Sequence, residues 1–334
     1  MPRPAEPPSH RPRRILPRIA NAYGLGTVAF LLLREIDGGF LPPITFLTQF
    51  SHVVLFLCLP FLVVALHARR RAAVAALGFG AVAFFWFFGS RLVPLAPKSI
   101  EARSQTALTI FTLNLGNLRT EAEEFVPTLE RCGADIVALQ EVGEHHAPAI
   151  RRELLDTYPH QVIHARGIPG IGLLSKLPIR SHELLELESL HPYLEATIEL
   201  DGRDVRIINA HPQAWIGLLG RLAREASDLD VLRERATFGG PCILVGDFNT
   251  TDQSREYAKF AQAGLIDGWL EAEGGFGFTF PVFGRYRGLP VPPILRLDYI
   301  WHTEHFRTLN VQVGEDVGAD HLPLRAELAW ANRR

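Results

Sequence analysis

Two kinds of apolar pattern divide the chain. Before about residue 95 the apolar positions form long, unbroken runs. Ile44–Leu66 is 23 residues without Asp, Glu, Lys or Arg, and Ala72–Ser90 is 19. Each is long enough to cross a bilayer as a helix, which takes about 18–20 apolar residues. Ile19–Leu33 is shorter, 15 residues with Asn21 and Tyr23 inside it. It reads as a third span, or else as an interfacial or packing helix. A cleaved signal peptide does not fit, because two longer apolar segments follow and no small-residue cleavage site stands out.

Beyond Lys98–Gln105, which reads as a linker, the apolar runs become short and are separated by turn residues. Leu108–Leu113, Asp135–Leu139, Gly170–Leu174, Glu183–Glu188, Leu194–Leu200, Val205–Ala210 and Cys242–Val245 read as strands. Asp201-Gly202 is a hairpin signal between two of them. Helical spacing governs Ala122–Cys132, closed by Gly133, then His145–Leu155, Gly217–Thr237 and Ser254–Ala263. A Gly- and Pro-rich loop fills Gly274–Pro293. Strands then surround Asp298 and begin at Val311–Gly314, and Leu324–Trp330 closes the chain. Hairpins among interspersed helices predict mixed α/β layers; a purely parallel wound sheet fits less well. The division is a membrane region, 1–103, with helices near 19–33, 44–66 and 72–95, and a second domain, 104–334.

The strands end in an unusual way. ALTIFTLN stops at Asn114, DIVALQE at Glu141, VRIINAH at His211 and CILVGDFN at Asp247 and Asn249; ILRLD stops at Asp298 and VGADH at Asp320 and His321. Burial explains the apolar part of each run. It does not explain the acid, amide or imidazole that follows, since such groups are costly to bury without a partner. A series of oxygen and imidazole donors at strand ends predicts one shared pocket.

Charge sharpens the division. Residues 1–103 hold 12 Lys+Arg against 4 Asp+Glu, a balance of +8. Residues 104–334 hold 22 against 32, a balance of −10, and together these give the net −2. Arg11, Arg13, Arg14 and Arg18 precede the first segment, and Arg69, Arg70 and Arg71 sit between the two long ones. Positive loops stay in the cytoplasm, so residues 104–334 are expected outside it: in a bacterium, a multi-pass inner-membrane protein with its second domain on the extracytoplasmic side. A domain at −10 is a poor general binder of polyanions, whose affinity comes largely from Lys and Arg. Cys132 and Cys242 read as free thiols, with a bridge left open.

Each candidate has a bland alternative. Asp247 and Asn249 are turn formers, but Gly246 lets the backbone turn so that both point into one pocket. Glu141 suits a helix N-terminus or, with Asp320, a hard divalent ion such as Mg²⁺. Among the histidines, His211 and His321 stand out, the latter oriented or kept cationic by a carboxylate such as Asp298. His145 and His146 read as exposed and uninvolved. Arg285 and Arg287 suit phosphate oxygens, although a solvated loop explains them as well. No GxxxxGK, HExxH or GxSxG is present.

In order, TLNLGN, DIVALQEV, GIGLLSKLPI, NAHPQA, LVGDFNTT, RLDYIW and GADHLPL resemble the endonuclease/exonuclease/phosphatase superfamily, the fold of DNase I-like nucleases, sphingomyelinases and inositol polyphosphate phosphatases. With HARRR before the last span, the chain also looks like the membrane-anchored, YafD-like bacterial subgroup. The resemblance runs from about Leu108 to Leu328. It implies a four-layer α/β sandwich of two packed mixed sheets flanked by helices, and Mg²⁺- or Mn²⁺-assisted hydrolysis of a phosphodiester or phosphomonoester. It further implies that Asn114, Glu141 and Asp320 surround the metal. His211 would donate to the phosphate, Asp247 act as general base or proton shuttle and Asn249 orient the phosphate. His321 would contact phosphate with Asp298 as its acid partner. Gly116 stands where some nucleases carry a second acid, which weakens a two-metal site, and Ala319 where Ser is common. Lipid headgroups, small phosphoesters and nucleic acid are the expected substrates, the last as an extracytoplasmic nuclease. The lipid bilayer is the expected partner of the N-terminal helices. A catalytically silent, membrane-tethered binding module is the reading of another class; the full motif set argues against it.

Overall fold

A computed structural model describes residues 15–36, 41–93, 107–116, 120–213 and 219–331, with backbone alone for 219–226. The basic residues Arg11, Arg13 and Arg14 and the expected linker Lys98–Gln105 lie outside the described residues. The chain divides into two compact units, Met1–Leu92 and Val93–Arg334.

The first unit is helical: α1 (Ile15–Ile36), α2 (Pro42–Gln49), α3 (Ser51–Phe56), α4 (Cys58–His67) and α5 (Arg71–Phe88), the last continued by a 3-10 turn to Leu92. By length and composition, Ile15–Ile36 and Arg71–Leu92 are each able to cross a membrane. The run Ile44–Leu66, expected as one span, is bent by 74° between α2 and the helices that follow. Hydroxyls satisfy carbonyls around the break: Thr48 Oγ1 donates to Ile44 O at 2.8 Å and Ser51 Oγ to Thr48 O at 2.7 Å, side-chain bonds that bend helices. Pro60, inside α4, has no N–H to return to the preceding turn. Small residues bring the helices close. A Cβ at Gly80 would lie 2.5 Å from Cys58 Sγ, as at packed membrane-helix crossings.

The second unit contains β1 (Leu108–Asn114), α6 (Ala122–Arg131), β2 (Ile136–Gln140), α7 (His146–Glu153), β3 (His160–His164), β4 (Ile171–Ser175), β5 (Ile179–Glu186), β6 (Pro192–Leu200), β7 (Arg203–Ala210), α8 (Leu219–Thr237), β8 (Cys242–Asp247), α9 (Arg255–Gln262), β9 (Ile266–Asp267), α10 (Gly268–Ala272), β10 (Asp298–His302), β11 (Phe306–Val313) and β12 (Leu324–Trp330). Two six-stranded sheets form, in the orders β11-β12-β1-β2-β4-β3 and β5-β6-β7-β8-β10-β9. Each has one parallel pair at its centre, β1 with β2 and β7 with β8, among antiparallel neighbours.

Strand periodicity explains the layers, because alternate side chains face opposite ways. Leu108, Ile110, Ile136 and Ala138 of the first sheet meet Ile207, Ile243, Val245 and Ile300 of the second in a central core. Phe111, Leu113, Val137 and Leu139 point outward onto Phe125, Leu129 and Ile150 of α6 and α7. On the other sheet Ile208, Leu244, Tyr299 and Trp301 point outward onto Leu229 and Leu232 of α8 and Phe260 of α9. The result is the expected four-layer sandwich. Strands covered on both faces read as continuous apolar runs, which is why β1, β2 and β8 were legible. Both cysteines of this unit, Cys132 and Cys242, are free thiols.

Candidate active site

The inner-facing alternation continues to the strand ends and places the polar terminators there. In β1 it takes Asn114 to the same face as Ile110; in β8, Asp247 to the face of Val245. Register does the rest. Asp298 opens β10 directly opposite Asp247. Because β1/β2 and β7/β8 are parallel, Asn114, Glu141, His211 and Asp247 all lie at or just past carboxyl ends of strands, where open α/β sheets bind ligands.

Asp247 is the centre. Its Oδ2 accepts from Asn114 Nδ2 at 2.9 Å and lies 3.6 Å from both His211 Nε2 and His321 Nε2. Its Oδ1 accepts from the Asn249 N–H at 2.8 Å. Glu141 Oε1 is 3.4 Å from Asn114 Nδ2 and 3.9 Å from His211 Nε2. Each imidazole is aimed from behind. His211 Nδ1 donates to Ile168 O at 3.2 Å, and His321 Nδ1 donates to Asp298 Oδ2 at 2.9 Å. Asn249 is held further by its Nδ2, which donates to Pro212 O at 3.0 Å. Asp247 and Asp298 are 1 % exposed.

Burial by itself would depress the His321 imidazole. The carboxylates of Asp298, Asp247 and Glu141 overrule it and push it up to about 9, so His321 is a cation at neutral pH. His191 goes the other way. Burial, then the neighbouring His211, lower it to about 4. It is neutral, with its Nδ1 proton donated to His211 O at 3.0 Å.

Backbone strain coincides with the site. Glu141 and Asn249 both have positive φ, +51° and +52°, a conformation costing roughly 1–2 kcal/mol at Glu141 and less at Asn249, since Asn tolerates it. Gly246 has φ +138°, and a Cβ there would lie 2.1 Å from Ala210 O. Only glycine lets β7 and β8 approach so closely just before Asp247.

Among the described residues, Asp247, Asp298 and His321 offer donor atoms within 4.8 Å of one another. Two of these, however, are bonded to each other at 2.9 Å. That geometry suits a charge-holding pair beside Asp247 better than an ion cage. Asp320 is buried at 4 % exposure, and its carbonyl accepts from Val282 N at 3.0 Å.

The two arginines make their contacts with other residues. Arg285 bonds Glu124 and Asp316, each at 3.3 Å. Arg287 lies over the Tyr286 ring at 5.3 Å. That ring contacts Phe280, whose own ring is 4.7 Å from His321. Phe280 thus walls the site and went unread, having only a Gly-rich loop around it. His146, expected on an exposed face, is fully buried. It accepts from Gly143 N at 3.0 Å and bonds Thr120 O at 2.9 Å, bracing the turn after Glu141. Gln140 and Asn209 were also missed. They bond each other at 2.7 Å beneath the pocket.

The model of the endonuclease/exonuclease/phosphatase family matches residues 111–321. The chain belongs to that family. YbhP of Escherichia coli K12, described as uncharacterized, is 26% identical over 264 residues, 67% of this chain and 97% of its own. Two solved structures share the fold. TDP2 of D. rerio complexed with a single-strand DNA product has a TM-score of 0.56 at 17% identity, over 66% of this chain and 98% of its own. Sphingomyelinase C of Streptomyces griseocarneus has a TM-score of 0.52 at 19% identity, over 66% of this chain and 98% of its own. Endonuclease/exonuclease/phosphatase superfamily members hydrolyse phosphoester bonds and typically use divalent metals.

Proposed function

We propose that this protein is a membrane-anchored, divalent-metal-dependent phosphoesterase that opens a phosphodiester or phosphomonoester by attack of water on phosphorus. The convergence of two imidazoles and one carboxamide on Asp247 Oδ2, at 2.9 to 3.6 Å, carries the reading. It puts one base among donors that match phosphoryl oxygens.

Asp247 takes the proton of the attacking water. His321, cationic against Asp298, and His211 offset the negative charge that grows on the phosphoryl oxygens. Both are already aimed by their Nδ1 bonds and need not reorganise as charge develops. Asn249, with one amide hydrogen on Pro212 O, turns the other toward the phosphate. The donor set fits a hard ion: Glu141 and Asn114, beside Asp247, and Asp320, adjacent to His321 in the chain, would supply oxygens, and the buried carboxylates of Asp247 and Asp298 call for more positive charge than the histidines give. Mg²⁺ or Mn²⁺ held there would polarise a phosphoryl oxygen. Gly116, whose N–H donates to Asn114 Oδ1 at 2.9 Å, brings no further carboxylate, which favours a single ion. Arg285 and Arg287 are proposed to meet the non-reacting part of the substrate.

TDP2, complexed with single-strand DNA product, supports an extracytoplasmic nuclease as the second reading. The −10 balance of residues 104–334 favours smaller esters or lipid headgroups over duplex. Mg²⁺-dependent turnover by Asp247→Asn and His321→Ala variants tests the chemistry. Loss of the general base is expected to cost about 10²–10⁴-fold, with circular dichroism unchanged. Wild-type turnover in either variant would remove the mechanism.

A further inference from the structure

Arg296 lies two residues before Asp298, and its side chain is 1 % exposed. A guanidinium removed from water needs carboxylates and flat faces around it. Nη1 donates to Asp267 Oδ1 at 3.1 Å, and Nη2 lies 2.8 Å from Asp267 Oδ2 and 3.1 Å from Asp252 Oδ2. The ring of Tyr299 lies 4.8 Å from the guanidinium carbon and that of Tyr257 5.8 Å.

The two carboxylates differ in kind. Asp267 is fixed independently: its Oδ1 caps α10 through Trp269 N at 2.9 Å, and its Oδ2 accepts from Tyr257 OH at 2.6 Å. Asp252 belongs to no helix or strand. It sits in the loop Phe248–Gln253, directly after Asp247 and around Asn249. Arg296 therefore bridges a fixed point to this loop. The same loop meets the Asp298 segment twice more, through Phe248 N to Leu297 O at 2.9 Å and Tyr299 OH to Thr250 O at 3.0 Å.

Asn249 sits in the left-handed region at φ +52°, which Asn adopts more readily than most residues, and the loop around it is held on each side. On one side its N–H bonds Asp247. On the other stand Tyr299 and the Arg296–Asp252 pair. Buried ion pairs seldom add stability over apolar packing, so orientation explains this one better. We infer that Arg296 and Asp252 are positioning residues. Their pair clamps the loop onto the Asp298 segment and keeps Asn249 and Asp247 in register with His321. The kinetic half of this inference rests on the phosphoesterase reading; the clamp itself does not.

The full chain in detergent is the sample. Asp252→Asn preserves shape, and Arg296→Lys preserves charge without the planar fork. Three quantities are measured: amide hydrogen exchange across Phe248–Thr251, Mn²⁺ binding by calorimetry, and Mg²⁺-dependent hydrolysis of bis(p-nitrophenyl) phosphate. In Asp252→Asn, exchange at Asn249–Thr251 rises while β8 stays protected, and Mn²⁺ affinity holds. There kcat falls about 100-fold, as for a displaced catalytic group, with KM unchanged. Arg296→Lys retains part of the rate. Unchanged exchange overturns the clamp. Raised exchange with full kcat reduces the pair to a brace and overturns its catalytic role, and so does a loss of Mn²⁺ affinity matching the loss of rate. If Asp252→Asn does not fold, Arg296→Lys is judged by the same results. A wild type that hydrolyses no phosphoester sinks the reading of the site, and exchange alone then decides the clamp.

Discussion

Asp247 receives hydrogen bonds from Asn114 and the Asn249 N–H and faces both His211 and His321. Three of these neighbours lie on segments more than 30 residues away, yet all were legible in the sequence. Each ends an apolar run, where alternation fixes the face and burial demands a partner. Arg296, His146, Gln140 and Phe280 were not legible. Most of their partners are distant in sequence, as with Gln140 and Asn209, 69 residues apart, and even where one is near, as Gly143 is to His146, nothing local marks a polar residue as satisfied. Gly246 gives a direct test at this scale. Gly246→Ala forces a side chain into a conformation that costs of order 1–3 kcal/mol and into Ala210 O. Chemical unfolding is expected to show at least that loss; unchanged stability would mean that β7 and β8 separate without cost.

Among the elements, central strands were read nearly to the residue and edge strands poorly. His160–His164 escaped because its polar residues carry little apolar signal at the rim of a sheet. Phe306–Val313 begins five residues before the expected Val311, and its pairing shifts between Thr308 and Asn310. The bend in Ile44–Leu66 was hidden because an apolar run states length, not straightness. Short α10 was also unread, though Glu271 on it ties two strands together. Burial alone would raise the Glu271 carboxyl, but His302 Nε2 at 3.0 Å and Thr308 N at 2.6 Å hold it below the ordinary carboxylate value of 4.5. A depressed acid stabilises the fold above its unfolded value and loses that contribution as pH falls through the folded one. The stability gap between wild type and Glu271→Gln should therefore be full near neutral pH and close below pH 4.5. A gap that persists in acid contradicts this.

At the scale of the molecule, an apolar, basic front and an acidic, layered domain share one chain. If the Arg69–Arg71 loop is cytoplasmic, as positive loops are, the proposed topology puts the second domain outside the cytoplasm. Protease added to intact spheroplasts should remove the domain, and full protection would reverse the topology. Members of the family hydrolyse phosphoester bonds; that this chain does so, and on which substrate and with which metal, is the proposal made from the pocket. One measurement bears most directly on it: phosphate-ester release by the detergent-solubilised full chain from DNA, RNA, phospholipids and phosphomonoesters, with Mg²⁺ and after EDTA. Hydrolysis of at least one class is expected with Mg²⁺, silenced by EDTA and restored by added ion. Hydrolysis that survives EDTA, or none of any substrate by a folded chain that binds Mn²⁺, would contradict the proposal.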